Sequence, residues 1–189
     1  MQPGIETSFE ARLRQIITRH HGIMSDLRLV KALRLPDWYI AAGYIRSCVW
    51  DELHGFEPGD RHDDIDVIYY DPSDCSEARE KELELLLKQQ TGNSKWSVKN
   101  QARMHIRNGD APYESSADAM SLWPETATAV GVRLDDADEL QIAAPYGLAD
   151  LFHVVLRRSP RFKDHAYYLG RMYKKQWQRQ WPKLHVLED

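Results

Sequence analysis

Cysteine is scarce: Cys48 and Cys75 are the only two in 189 residues. Their spacing suits no metal-binding pattern, so a zinc module and a disulfide-stapled secreted fold both fall away, and two reduced thiols in the cytoplasm are expected. Long apolar runs are missing too. Nothing approaches the roughly 18 consecutive apolar residues that cross a bilayer, and the amino terminus has no basic stretch leading into an apolar one, so neither a membrane span nor a secretory signal is expected. Positive charge is not in excess either. The formal net charge of −4 argues against general coating of nucleic acid but leaves a local basic patch open. No internal repeat or low-complexity tract interrupts the chain. What remains is an ordinary globular composition, 42% hydrophobic and 29% charged, of a length expected to make one domain with a proper core.

The stretch from Trp38 to Asp71 organises that chain. Trp38 to Ala42 reads as a strand, Gly43 as a turn, Tyr44 to His54 as a helix, and Asp64 to Tyr70 as a second strand opening with carboxylates. A strand that enters a helix through a glycine leaves unpaired backbone N–H groups at the positive end of a helix dipole, a place suited to a phosphate. On the second strand, Asp64 and Asp66 point the same way, with Cα atoms roughly 6.5 to 7 Å apart. Such like charges raise each other's pKa unless a cation lies between them. Mg²⁺, which prefers oxygen ligands, is the usual cation in phosphate chemistry. A solvated acidic cluster leaving a loop is the simpler alternative. The immediate run Val67-Ile68-Tyr69-Tyr70 weighs against it, because a buried strand fixes the two carboxylates at one sheet edge. In the intervening helix Ile45, Cys48, Val49 and Leu53 form the buried stripe, and Arg46 lies off it in the first turn. A cation there opposes the helix dipole unless it meets an anion or a neighbouring Asp.

Elsewhere the pattern predicts scaffold and one charged tail. Residues 7–22 read as an amphipathic helix with Thr7 and Glu10 as its capping box, and Ser25 opens a second helix that Pro36 closes. Residues 76–90 form a charged helix before Gly92. Residues 94–101 follow as a strand, with Trp96, Val98 and Asn100 on one face and Lys95, Ser97 and Lys99 on the other; Arg103 and His105 continue a cationic stretch. A short helix runs from Ser115 or Ser116. Pro124 starts another, with Glu125 favouring its amino end. Residues 132–134 and 140–143 make a hairpin, and 147–157 a helix. From Arg157 onward Arg171, Lys174, Lys175 and Arg179 interleave with Tyr173, Trp177 and Trp181, spaced by four like one face of a helix. Basic and aromatic residues together suit single-stranded RNA. The same spacing suits a helix docked on the core, and that reading is preferred.

The blocks Ala42-Gly43-Tyr44-Ile45-Arg46-Ser47, Leu53-His54-Gly55 and Asp64-Ile65-Asp66 resemble the G-G-x-V-R-D, L-L-G and D-x-D signature of CCA-adding tRNA nucleotidyltransferases, within the DNA polymerase β-like superfamily. A bacterial family of nucleotidyltransferase-like proteins is similar over nearly everything after about residue 25. That likeness rests on residues 96–105, 123–129, 144–152 and 181–184. The resemblance implies an α+β nucleotidyltransferase fold, a small mixed sheet with strands near 38–42, 64–70, 94–100 and 132–143. Helices flank it: amino-terminal helices in residues 1–35 and a basic, aromatic helix in 160–189, all within one domain over 1–189. It implies Mg²⁺- or Mn²⁺-dependent transfer of a nucleotidyl group from an NTP, with Asp64 and Asp66 catalytic and holding the metal. Gly43, Tyr44, Arg46, Lys99, Asn100 and Arg103 are the expected nucleotide-binding residues. The acceptor is open among small molecule, protein and RNA, with RNA ranked last. The chain departs from the signature at Ala42, where a glycine is expected, at Tyr44 and Ser47, and in a helix longer by about one turn. The neutral Asn100 stands as the equivalent of a third carboxylate. An idle nucleotide-binding or protein-interaction module retaining the fold is the rival reading.

Overall fold

The central sheet is built on three short strands that bring the Trp38 to Asp71 stretch together: β1 (Tyr39–Ala41), β2 (Ile65–Tyr69) and β3 (Trp96–Asn100). The computed structural model describes residues 3–57, 59 and 61–188, with side chains from residue 9 onward. β4 (Gly131–Leu134) and β5 (Leu140–Ala143) complete five strands in the order β3-β2-β1-β4-β5. β2 and β3 run parallel and the other pairs antiparallel, so the sheet is mixed as expected. The parallel pair requires a crossover, supplied by α4 (Glu77–Thr91), which starts on the Ser76 cap and stops at Gly92 with φ 68°. Between β1 and β2 lies α3 (Gly43–His54), ended by Gly55 at φ 68°.

Strand parity sorts the two faces. Ile40, Ile65, Val67, Tyr69, Trp96, Val98 and Val132 join the main core, with Leu13, Ile17, Trp50 and Trp181 among the residues that cover them. Tyr39, Ala41, Ile68 and Ala143 point to the other face and a smaller cluster around Met120 and Ala129. Asp66 shares the parity of Ile68, and its register partner Ser97 shares that of Lys99. The outer edge of β3 is covered: Val98 N–H donates to Glu84 (3.3 Å) and Asn100 N–H to Glu80 (2.8 Å), both on α4. Such cover removes a free strand edge.

Several expected boundaries move. α1 (Pro3–Arg19) begins before Thr7, so Thr7 is not its cap. The break to α2 (His21–Ala32) falls at His20, whose Nδ1 accepts the Ile23 N–H at 3.2 Å, rather than at Gly22 and Ser25. The cationic stretch after β3 is a helix, α5 (Gln101–Asn108), followed by the expected α6 (Ser116–Met120) on its Ser115 cap. Pro124 starts no helix; Glu125 instead bridges Arg158. The helix expected over 147–157 shrinks to α7 (Ala149–Phe152), because Val154 takes φ 56° and the chain becomes β6 (Val155–Leu156). The terminal helix is broken at Gln176, φ 48°, into α8 (His165–Lys175) and α9 (Trp177–Gln180). After it β7 (His185–Val186) pairs parallel with β6. Trp177 and Trp181 are 6% and 0% exposed while Tyr173 is 60% exposed, so the aromatic row divides between core and solvent. Among the described residues no helix is long and apolar enough to cross a membrane.

Candidate active site

The site grows from the turn between β1 and α3. Ala42 stands at φ 60°, ψ −135°, a conformation that glycine adopts readily and L-residues resist. This explains why the resembling families place a glycine there. Its N–H is held by Val130 O (3.1 Å) and its carbonyl accepts the Arg46 N–H (3.0 Å), so the turn is clamped on both sides. No side chain caps α3, and its first N–H groups are left for solvent or a ligand.

Ala42 of this turn, Asp66, Ile68, Lys99, Glu125 and Arg171 line a cavity of about 1160 Å³. Arg107, Trp123, Phe162, Lys163 and Tyr167 line it too. The space exceeds the roughly 300 to 1,000 Å³ of ordinary ligand pockets, enough for a nucleotide and a second reactant. Burial first, and the charge of Asp64 second, push the pKa of Asp66 up to about 6, against the Ser97 hydrogen bond and the charges of Arg171 and Lys99. Asp64, just ahead of β2, is exposed. Before it, Asp63 pairs with Lys175 of α8, and that hydrogen bond holds its carboxyl below the usual range.

The expected nucleotide ligands divide. Lys99 lines the cavity on the face of Asp66, with Glu84 and Glu80 at 3.7 and 3.9 Å. Gly43 begins α3 beside it, and a Cβ there would have the Arg46 Nη2 at 3.7 Å. Arg46 itself is not among the residues that line the cavity. It is 4% exposed, and its Cζ lies 5.0, 4.4 and 5.6 Å from the rings of Trp50, Trp177 and Trp181. Burial draws its guanidinium down to about 10, opposed by Glu125. Its bond to Thr128 Oγ1 is long at 3.5 Å, and its Nε has no partner among the described residues. Tyr44 points away, donating its hydroxyl to Asp26 at 2.7 Å. It lines a separate hollow of about 90 Å³ together with Phe56, Gly59 and His62, none of which lines the large cavity.

Asn100 is not the third metal position. Counting from the register, it shares the core parity of Trp96 and Val98, opposite to Asp66. Fully buried, it caps α5 by accepting the Ala102 N–H (3.1 Å), accepts the Asp71 N–H (3.0 Å), and donates to the carbonyls of Asp71 (2.7 Å) and Asp74 (2.9 Å). The residue opposite Asp66 on β3 is Ser97. Arg103 is also structural, making a bidentate pair with the buried Glu80 at 2.8 and 2.6 Å.

Glu125 and Arg171, the latter in the basic terminal segment, also line the cavity. Glu125 is 1% exposed, accepts the Thr128 hydroxyl at 3.0 Å and pairs with Arg171 Nε at 2.6 Å. The signal available was a carboxylate set between the small and apolar residues of 123–129, with Arg171 next to the buried Met172 of a helix.

Asp66 lines the cavity and Asp64 is not among its lining residues, but the Asp64 charge reaches Asp66, and two neighbouring carboxylates suit a hard divalent cation. Among the described residues no group of three or more His, Cys, Asp or Glu is placed to hold a metal. Mg²⁺, however, is commonly held by one or two carboxylates together with substrate phosphates and water, so oxygen donors from Asp64 and Asp66 fit it.

Known proteins place this arrangement. A structure solved by NMR and described as a CCA-adding enzyme head domain aligns over 93% of this chain and 94% of its own, with 34% identity and a TM-score of 0.83. A tRNA-processing enzyme complex shares 16% identity over 85% of this chain, TM-score 0.52. The Thermotoga maritima CCA-adding enzyme complexed with tRNA shares 15% over 99%, TM-score 0.50. The chain spans 42% and 40% of those two longer enzymes, which share its fold. No curated protein matches. The model of a family described as nucleotidyltransferase matches residues 28–186. By that match, and by its likeness to the head domain, the chain belongs to the nucleotidyltransferase family.

Proposed function

We propose that the protein transfers a nucleotidyl group from an NTP, with Asp64 and Asp66 holding Mg²⁺ or Mn²⁺. The observation that carries this reading is Asp66 in the lining of a cavity of about 1160 Å³ that Lys99 and Ala42, the residue ahead of α3, also line, in a chain of this family. Bound there, the cation supplies charge neutralisation on the attacking and leaving oxygens. The protein's own part is positioning. The N–H groups after Ala42 and the ammonium of Lys99 face the phosphates, and the cavity walls keep water from them. The remaining lining, with Arg107, Lys163 and Tyr167, receives the acceptor. Burial of Trp177 and Trp181 favours a small-molecule or protein acceptor over RNA stacked on the terminal helices. On this reading those helices and the amino-terminal pair belong to the same functional unit as the sheet.

The test is thermal melting with each of the four NTPs plus Mg²⁺ or Mn²⁺. A ligand at a hundredfold excess over its dissociation constant stabilises the native state by about 2.7 kcal/mol. A clear rise in Tm is expected with at least one NTP, and Asp64→Asn with Asp66→Asn should remove it; no rise with any NTP refutes the reading. One observation favours a second reading, an idle nucleotide-binding module: Ser97, not a carboxylate, faces Asp66 across β3. Pyrophosphate release from the bound NTP with candidate acceptors separates the two.

A further inference from the structure

With Arg46 enclosed by indoles, the guanidinium that faces the cavity beside Asp66 is that of Arg171 on α8. Its Nε donates to Glu125 at 2.6 Å, and Glu125 is itself fixed by the Thr128 hydroxyl. The Arg171 side chain keeps 28% exposure, and its two Nη groups make no hydrogen bond to a described residue. An arginine used only to neutralise a buried carboxylate would present its fork to it; this one gives Glu125 its Nε edge, lays one face of the guanidinium over Trp177, with Cζ 5.5 Å from the ring centre, and leaves the two Nη groups without a hydrogen bond to a described residue. The helix beneath it is anchored: Met172 is buried, Lys175 pairs with Asp63, and the Tyr168 hydroxyl meets the carbonyls of Leu156 (3.2 Å) and Leu187 (2.5 Å). A planar fork on a fixed helix is matched to two oxygens of a phosphate group.

We propose that Arg171, oriented by Glu125 and Thr128, binds the phosphate chain of the NTP, in the role that Arg46 was expected to fill. The inference rests on the nucleotidyl-transfer reading and deepens it: the carboxy-terminal segment carries a phosphate ligand to Asp66 and Lys99, which come from the sheet. The ion pair to Glu125 remains when nucleotide binds, because Nε and the Nη fork are separate donors. Arg171 is thereby a substrate-binding residue and Glu125 a positioning residue.

The experiment compares the wild-type protein with the double variant Arg171→Gln, Glu125→Gln, which removes both charges of the pair and so leaves no buried carboxylate unpaired; circular dichroism confirms that it folds. Calorimetry measures the affinity of the NTP giving the largest thermal shift, of its monophosphate, and of inorganic triphosphate, each with Mg²⁺. Loss of one charge-assisted contact weakens binding about tenfold to a hundredfold. The double variant is expected to lose that much for the NTP and for inorganic triphosphate, and less than about threefold for the monophosphate. An unchanged ratio of NTP to monophosphate affinity in the folded double variant overturns this inference alone. Failure of the wild-type protein to bind any NTP overturns the underlying reading, and this one with it.

Discussion

Asp66→Asn should make the free protein more stable while removing its response to nucleotide. Burial and Asp64 push the Asp66 pKa from 3.8 up to about 6, so the folded state disfavours the charge that the unfolded chain carries freely. A shift of about two units corresponds to about 3 kcal/mol; its opening to the cavity reduces this to about 2 kcal/mol. The sign follows from linkage. Below pH about 3 the carboxyl is largely protonated in both states and the penalty is nearly absent. It grows as the unfolded carboxyl ionises first, and it is complete above about pH 6, where both states are charged. Asparagine keeps an oxygen that can accept from Ser97 and carries no charge. In a chain of this length about 2 kcal/mol corresponds to about 4 to 8 °C in Tm. Melting with a chelator present, at pH 4.5 and pH 7.5, should therefore show a small difference at the lower pH and the full gain at the higher. A variant less stable than wild type at pH 7.5, or a difference independent of pH, would refute the argument.

Two further outcomes follow from backbone and capping geometry. Ala42→Gly relieves the φ of 60° and should raise stability by about 1 kcal/mol, the strain relieved less the entropy that glycine adds, read as a higher denaturation midpoint; a neutral or destabilising effect would contradict the strain. Asn100→Asp should cost about 2 to 4 kcal/mol, because two carbonyls lose their donor and meet a buried charge, and should bring no gain in Mg²⁺ affinity by calorimetry. A gain would mean that Asn100 faces the site after all.

The parts of the site that were legible are local in sequence. Strand, turn, helix and D-x-D lie within 34 consecutive positions, Trp38 to Asp71, and alternation along β2 is enough to place Asp66 and Lys99 on one face once β3 is aligned beside it. The error at Asn100 came from choosing by chemical kinship rather than parity: the faces of the 94–101 strand were read correctly, and they already put Asn100 with Trp96 and Val98. Arg46 was misread for a different reason. Its position in the first turn of α3 is visible, and Trp50 one turn on is within reach of helix periodicity, but the other two indoles that enclose it come from positions 177 and 181, and no periodicity within a helix reports a contact of that separation. The same holds for Arg171 and Glu125, whose pairing spans 46 positions. Helix ends failed where a residue of positive φ without a glycine broke the pattern, at Val154 and Gln176.

The indole cage around Arg46 also bears on the order in which the molecule can be completed. Asp51, 2% exposed, gives one oxygen to Arg61 Nη1 (2.9 Å) and the other to Trp181 Nε1 (2.8 Å), a partner 130 positions later. A chain emerging from the ribosome amino end first therefore presents α3 with a guanidinium and a carboxylate that water must keep solvated until Trp177 and Trp181 arrive. Charges of this kind are costly to bury alone, so the helix that frames the glycine turn is sealed only when residues 177–181 dock. Completion of α3 therefore waits for residues more than 120 positions further along the chain, and a chain made only as far as β5 exposes the Asp66 strand with this helix still open.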